Sequence, residues 1–239
     1  MGQLLTLELE SRAAQVRQLL GEAVRQYGRV VYANSLGAEA MVLTDLICMD
    51  FPAIDIVSID TGRLHEETHD LLERLQRRYG GRIRLIHPDA EDLTSLVQRQ
   101  GTNGFFGSPG ARQACCHARK VLPFQRFVAG YSAWVTGVRR EQSKARALAA
   151  PIEWDGQHGL YKVSPLLDWT TTEVWGYIRA RGLPYNPLHD RHYPSIGCAP
   201  CTRAVQEGED SRAGRWWWEH PQSRECGLHP GVRTAAAHG

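Results

Sequence analysis

An α/β fold, a mostly parallel sheet flanked by helices, is predicted by three observations. Short apolar runs rich in Val and Ile alternate with longer stretches whose apolar residues recur every three to four positions. Each run ends in a polar or glycine-bearing loop that leads into a helical stretch, which is the order of βα units in a sheet covered on both faces. The 239 residues, 42% hydrophobic and 23% charged, suffice for one large core.

Residues 12–27 place Val16, Leu19, Leu20, Ala23, Val24 and Tyr27 at helical spacing, predicting an amphipathic opening helix. Val30-Val31-Tyr32-Ala33 predicts a strand that runs into Asn34-Ser35-Leu36-Gly37, and Met41, Val42, Leu46 and Ile47 mark the next helix. The unit repeats: a strand over 54–59, the loop Asp60-Thr61-Gly62-Arg63, a helix over 64–79 and, after Gly80-Gly81, a strand over 83–86. A glycine-rich loop at 101–110 leads to a helix over about 111–129, then a strand over 133–138 containing Thr136-Gly137. Gly156-Gln157-His158-Gly159 reads as a turn between short strands, 160–166 as a further strand, and 171–181 as a helix with Thr170 or Thr171 as N-cap. Pro184, Pro187, Pro194 and Pro200 exclude long helix up to the last cysteine pair. Beyond Glu207 the chain turns polar, and 234–239 read as a frayed end. Residues 1–206 are therefore expected to form the α/β domain, and 207–239 a mobile C-terminal segment.

A formal charge of +2 is too balanced for a protein that coats nucleic acid. No apolar run approaches the roughly 20 residues needed to cross a bilayer, and Glu8 and Glu10 argue against an acid-poor transit peptide. A cytoplasmic chain without membrane or nucleic-acid partners is expected. In that compartment thiols stay reduced, so six cysteines read as ligands, catalysts or core residues rather than a disulfide framework.

Four of them fall in two close pairs, Cys115-Cys116 and Cys198-Ala199-Pro200-Cys201. Two thiolates from each segment can complete a four-sulfur metal site. Zinc ribbons usually present two spaced knuckles, and Cys115-Cys116 has no spacer, so spacing ranks an iron-sulfur cluster ahead of zinc. A redox dithiol and four buried apolar thiols remain open. Cys48, in Leu46-Ile47-Cys48-Met49, reads as core. Cys226 stands in the polar tail; an exposed thiol there suits a nucleophile that visits two partners, or is incidental. Arg224 and His229 favour its thiolate and Glu225 opposes it.

Cationic groups gather where an anion would sit: Arg119-Lys120, Arg139-Arg140, Lys144, Arg146, Arg212 and Arg215. Ser35-Leu36-Gly37-Ala38-Glu39 adds backbone N–H groups at a helix start, although the Gly-Lys-Ser/Thr of a Walker A loop is missing. The loops at 35–39, 60–63 and 137–140 all follow strands, where parallel sheets bind ligands. Trp216-Trp217-Trp218 reads as a packing anchor, with a platform for a flat ring as the alternative.

These blocks, with Thr136-Gly137-Val138-Arg139-Arg140-Glu141-Gln142-Ser143, Ile196-Gly197-Cys198-Ala199-Pro200-Cys201-Thr202-Arg203, Gly214-Arg215-Trp216-Trp217-Trp218-Glu219 and Glu225-Cys226-Gly227-Leu228-His229, resemble the thioredoxin-dependent adenylylsulfate reductases over about residues 30–230. The resemblance implies an adenine-nucleotide alpha hydrolase-like fold and assimilatory reduction of adenosine 5'-phosphosulfate to sulfite and AMP. It implies one 4Fe-4S cluster on Cys115, Cys116, Cys198 and Cys201, and Cys226 as the nucleophile that carries a cysteine S-sulfonate. Reduced thioredoxin, or glutaredoxin, is the implied reductant. The substrate contacts expected are Ser35, Gly37, Glu39, Arg119, Lys120, Gly137, Arg139, Arg146, Arg212 and Arg215. Family members without the cysteine pairs generally use the 3'-phosphorylated nucleotide, so the pairs favour the unphosphorylated one; activity on the former and an iron-sulfur tRNA thiolase are the alternatives. The thiolase would show a Ser-Gly-Gly-x-Asp-Ser loop, which the chain lacks, and a non-enzymatic zinc module is a third reading. Many relatives read Gly-Ala-Glu-Asp in the nucleotide loop where this chain has Ala40 after Glu39. A homo-oligomer is compatible with the sequence but not required by it.

Overall fold

Val30, Val31 and Tyr32 are all buried, as expected of a central strand covered on both faces. The computed structural model describes residues 6–143, 146–220 and 228. Six strands form one sheet in the order β3-β2-β1-β4-β6-β5. These are β1 (Val30–Asn34), β2 (Asp55–Ile59), β3 (Ile83–Ile86), β4 (Ala133–Val135), β5 (Ile152–Asp155) and β6 (Leu160–Val163). All neighbours pair in parallel except β5, an edge strand antiparallel to β6. The predicted fold class is the observed one.

On one face α1 (Leu7–Tyr27), α2 (Ala38–Asp50) and α7 (Thr171–Ala180) pack with Val30, Tyr32, Val135 and Val163. The Thr6 hydroxyl accepts from Leu9 N to cap α1, and a Thr170/Glu173 capping box starts α7. α3 (Glu66–Arg78) buries Leu71, Leu72 and Leu75. On the other face α6 (Leu122–Val128) lays Phe124 and Val128 against Val31, Val57 and Trp134.

Three local expectations are corrected. The sequence reading passed over residues 87–100, where α4 (Ala90–Gln100) forms; only Leu96 of it is buried, so its apolar face was weak. The single helix expected over 111–129 is α5 (Pro109–Cys116), a π turn (His117–Val121) and α6 in succession. Pro123 explains the break: it cannot donate to the carbonyl of residue 119, and Leu122 N reaches back instead to His117 O. The strands expected over 133–138 and 160–166 stop at Val135 and Val163: Thr136, Gly137 and Val138 turn into a cleft, and residues 164–167 form a turn in which Leu167 N donates to Ser164 O.

Residues 207–220, assigned from sequence to the C-terminal segment, fold back along the last cysteine pair. Thr202 and Arg215 form an antiparallel bridge, Arg203 N donates to Gly214 O, and Trp216 N donates to Cys201 O.

Candidate active site

The strand order reverses between β1 and β4, and a parallel sheet opens a crevice at the carboxyl ends of the strands flanking such a reversal. A cleft of about 890 Å³ lies there. Ser35, Gly37 and Glu39 line it from the β1–α2 loop, Gly137 and Arg139 from the loop after β4, and Lys120, Arg146, Arg212 and Arg215 from its walls.

The β1–α2 loop is held from behind by Asn34, a buried side chain that the sequence reading missed. Its Oδ1 accepts from Leu36 N at 2.8 Å and its Nδ2 donates to Thr44 Oγ1 at 2.9 Å. Leu36 adopts a left-handed conformation with φ 59°, a strain of roughly 1–3 kcal/mol that the surrounding contacts sustain. The chain then turns into α2 with Gly37 as an N-cap without a side-chain acceptor; Ala40 N donates back to Gly37 O, and Gly37, Ala38 and Glu39 line the cleft at the helix start, a place suited to an anion. Ala40 is buried and its side chain does not line the cleft, so the departure from Gly-Ala-Glu-Asp changes the loop's underside.

Glu39 and Arg139 meet. Arg139 Nε donates to Glu39 Oε1 at 2.9 Å, Nη1 to Glu141 Oε2 and Trp169 O, and Nη2 to Thr171 Oγ1, so each guanidinium nitrogen has a protein partner. Gln142 Nε2 also donates to Glu39 Oε1, while its Oε1 accepts from Arg139 N and from Arg146 Nη1. Through Gln142, another residue missed in the sequence, the Glu39–Arg139 pair fixes Arg146. Gly137 permits this packing: a Cβ there would stand 3.1 Å from Glu39 Cβ. Arg140 points elsewhere, donating to Asp168 at 2.7 Å and to the carbonyls of Ala147 and Ala149.

Beside the cleft is a smaller cavity lined by Cys115, Cys116, Cys198 and Cys201, with Arg63, Phe105, Arg112, Arg119, Lys120, Pro200. The fold thus gathers the two cysteine pairs, one from the end of α5 and one from the turn Ala199–Cys201. Trp216 and Phe105 pack with Cys198 and Cys201. Trp216 and Trp218 therefore serve as packing, with Trp218 against Phe106 at 4.5 Å between ring centres, while Trp217 is exposed. Among the described residues no disulfide forms, and no three His, Cys, Asp or Glu side chains converge on a single-ion position.

The four thiols are not equivalent. Burial pushes Cys201 up to about 12, reinforced by the nearby Cys198 and Cys116. Burial also raises Cys115, against the pull of Arg119. At Cys198 burial opposes ionisation, but the Lys120 ammonium, the Thr61 hydrogen bond at 3.2 Å and Arg215 outweigh it and hold the thiol below its ordinary value. Lys120 lines both cavities, and Thr61 ties the loop after β2 to the cysteine turn. Arg119 lines only the thiol cavity, donating to Thr61 O at 2.7 Å. Arg215 lies over Trp216 and donates to Ser195 Oγ and Ile196 O; a Cβ on Gly197 would come within 2.3 Å of its guanidinium. Cys226, Lys144, Arg224, Glu225 and His229 lie outside the described residues. Leu228 lines the cleft and packs against the core under α6.

A phosphoadenosine phosphosulfate reductase domain is matched over residues 29–204. A protein of Allochromatium vinosum named adenosine 5'-phosphosulfate reductase is 52% identical over 92% of this chain and 86% of its own length. One of the same name from Burkholderia cepacia is 48% identical over 94% and 90%. The crystal structure of phosphoadenylyl-sulfate reductase from Candida auris, a phosphate complex, superposes with TM-score 0.67 at 25% identity over 86% of this chain and all of that one. An FMN adenylyltransferase of Candida glabrata shares the fold alone, with TM-score 0.58 at 16% identity over 91% and 77%. With a parallel sheet, a cleft at its switch point and a four-thiol cavity alongside, the chain belongs to the phosphoadenosine phosphosulfate reductase family.

Proposed function

We propose that this chain reduces adenosine 5'-phosphosulfate to sulfite and AMP in the cytoplasm, with Cys226 as nucleophile, thioredoxin or glutaredoxin as reductant, and a 4Fe-4S cluster on Cys115, Cys116, Cys198 and Cys201. The observation that carries this reading is Lys120, which faces the nucleotide cleft and the thiol cavity at once. The names of the relatives support the substrate, and by the family resemblance the two cysteine pairs favour it over the 3'-phosphorylated nucleotide.

The thiol cavity fits the proposed cluster on its own chemistry. Its donors are four soft sulfurs and its lining cations offset thiolate charge, a donor set suited to an iron-sulfur cluster. When bound, the cluster supplies a fixed anionic body that organises Lys120 and its neighbours without needing to change oxidation state.

In the cleft, the N–H groups at the start of α2, the β1–α2 loop carrying Ser35 and Gly37, and Gly137 after β4 receive the nucleotide phosphate, and Arg146 meets its charge. Lys120, Arg212 and Arg215 face the sulfate, while Arg119 and Arg139 act from behind, on Thr61 and Glu39. The Cys226 thiolate attacks the sulfate sulfur, the bond to the bridging oxygen breaks, and AMP leaves with that electron pair. Cations around the sulfate offset the repulsion between two anions. A thiolate of the reductant then attacks the Cys226 sulfur, sulfite leaves with the S–S electron pair, and the reductant's second thiol resolves the mixed disulfide, returning Cys226 reduced.

The test is mass spectrometry of anaerobically prepared protein incubated with adenosine 5'-phosphosulfate. The wild-type peptide containing Cys226 gains the mass of SO3, and Cys226→Ser binds nucleotide without any adduct. A covalent adduct on the serine variant, or none on the wild type, overturns the assignment. The same assay with the 3'-phosphorylated nucleotide settles the substrate.

A further inference from the structure

Two buried charges that take no part in this reaction stand at the back of the thiol cavity. Arg112 Nε lies 2.6 Å from Glu219 Oε1, and the two side chains are 1% and 2% exposed. A carboxylate and a guanidinium so far from water are sustained only by each other and by further hydrogen bonds. Arg112 stands one turn before Cys116 on α5, the two line the cavity together, and the Cys116 sulfur is among the neighbours that favour the guanidinium's charge. It also lies 4.5 Å from the centre of the Trp216 ring.

Glu219 belongs to the other wall. Its N–H donates to Trp216 O at 2.8 Å, and Trp216 N donates to Cys201 O at 3.1 Å. The strip 214–219 is therefore laced to the Cys198/Cys201 turn on one side and ion-paired to the Cys115/Cys116 helix on the other. No other charge pair among the hydrogen bonds and ion pairs described joins the two cysteine-bearing segments with both partners buried to this degree.

We propose that Arg112 and Glu219 form a buried clasp that closes the two walls of the thiol cavity on its occupant, Arg112 holding the Cys116 sulfur and Glu219 anchoring the strip that leads toward Cys226. This rests on the cluster reading above. Both are positioning residues. The planar guanidinium is essential to the device, because it serves Glu219 and Cys116 together while lying over Trp216; a lysine ammonium keeps the charge but cannot span all three.

The experiment follows the full-length chain, purified without oxygen, as an iron chelator bleaches its visible absorbance, with melting temperature measured in parallel. Arg112→Lys is expected to melt within about 3 °C of the wild type. It should nevertheless bleach at least ~10-fold faster and show a shifted sulfur-to-iron absorption band, as loss of a group holding a metal ligand does. Glu219→Gln, which keeps shape and an acceptor, should bleach faster as well. Wild-type bleaching and spectrum in both variants overturn the clasp. Should either fail to fold, Arg112→Met with Glu219→Met, which leaves no lone buried charge, carries the same comparison. If the wild type holds no iron, the cluster reading fails by itself. The clasp is then judged on alkylation of Cys116 in the metal-free chain, expected ~10-fold faster in the variants through local opening, with an unchanged rate overturning it.

Discussion

In the cleft, two short loops after β1 and β4 supply part of the lining and are steadied by polar neighbours: Asn34 holds Leu36, and Glu39 holds Arg139 and, through Gln142, Arg146. In the thiol cavity the sulfurs come from two segments far apart in the chain, packed among Phe105 and Trp216 and closed by one buried ion pair. The cleft backs its more open groups with a connected set of buried polar partners, Asn34 and Arg139 among them; the cavity sets a single buried ion pair among thiols and aromatic rings, where leaving a charge unpaired is costly. The comparison teaches that the two jobs expected of this chain, gripping a nucleotide and stabilising a reactive sulfur centre, sit in media of different polarity, joined where Lys120 faces both.

The joint is where the contrast breaks most visibly. Lys120→Ala is expected to lower the single-turnover rate of sulfonate formation by about 100-fold, the loss typical when a preorganised charge is removed from a developing anion. The chelator bleaching rate should rise as well, because Cys198 loses the cation that favours its thiolate. A slower turnover with unaltered bleaching would mean that the two regions work independently.

A smaller effect sharpens the boundary. Gly197→Ala places a methyl group 2.3 Å from the Arg215 guanidinium, which must swing away from Ser195 and Ile196. The moving atoms are the end of a long side chain, so the fold should survive, with destabilisation of about 1 kcal/mol by urea titration. KM for the nucleotide is expected to rise about tenfold, the effect of losing one charge-assisted contact. An unchanged KM would remove Arg215 from the substrate's surroundings.

The smallest effect is a control outside both regions. Burial opposes ionisation of Asp155, yet the hydrogen bonds from His158, at 2.7 Å, and from the turn backbone hold its carboxyl below the ordinary value of 3.8. A depressed carboxylate contributes stability that is present above the unfolded value and lost as pH falls through the folded one. Asp155→Asn should cost about 1 kcal/mol at pH 7 and flatten the decline below about pH 4, with bleaching and KM unchanged. A steeper acid decline in the variant would show that the sign is wrong.

Much of the cleft was legible because its signals are local. A β-branched run, a glycine-bearing loop and a helix start lie within ten residues of one another, so Ser35, Gly37 and Gly137 could be named from order alone. Arg139 was named too, but its role was not: only the folded chain shows its nitrogens occupied by Glu39, Glu141, Trp169 and Thr171. Asn34, Gln142 and Glu219 stand in quoted blocks of sequence, but their roles, like that of Arg112, were not legible, since each acts through a partner distant in sequence or through a side-chain amide that looks like any surface polar group. The π turn at His117–Val121 was hidden for another reason: Pro123 announces a break in hydrogen bonding but not how the helix absorbs it.

The order of residues by itself determined the alternation of strands and helices, the parallel sheet and the pairing of thiols within each segment, because periodicity, turn residues and spacing act over short stretches of chain. The tertiary structure alone decided that the two cysteine pairs share one cavity, that Lys120 faces both cavity and cleft, and that Arg112 finds Glu219. Those outcomes depend on which surfaces the sheet and its helices bury against each other, and burial sets the strength of every charge they bring together.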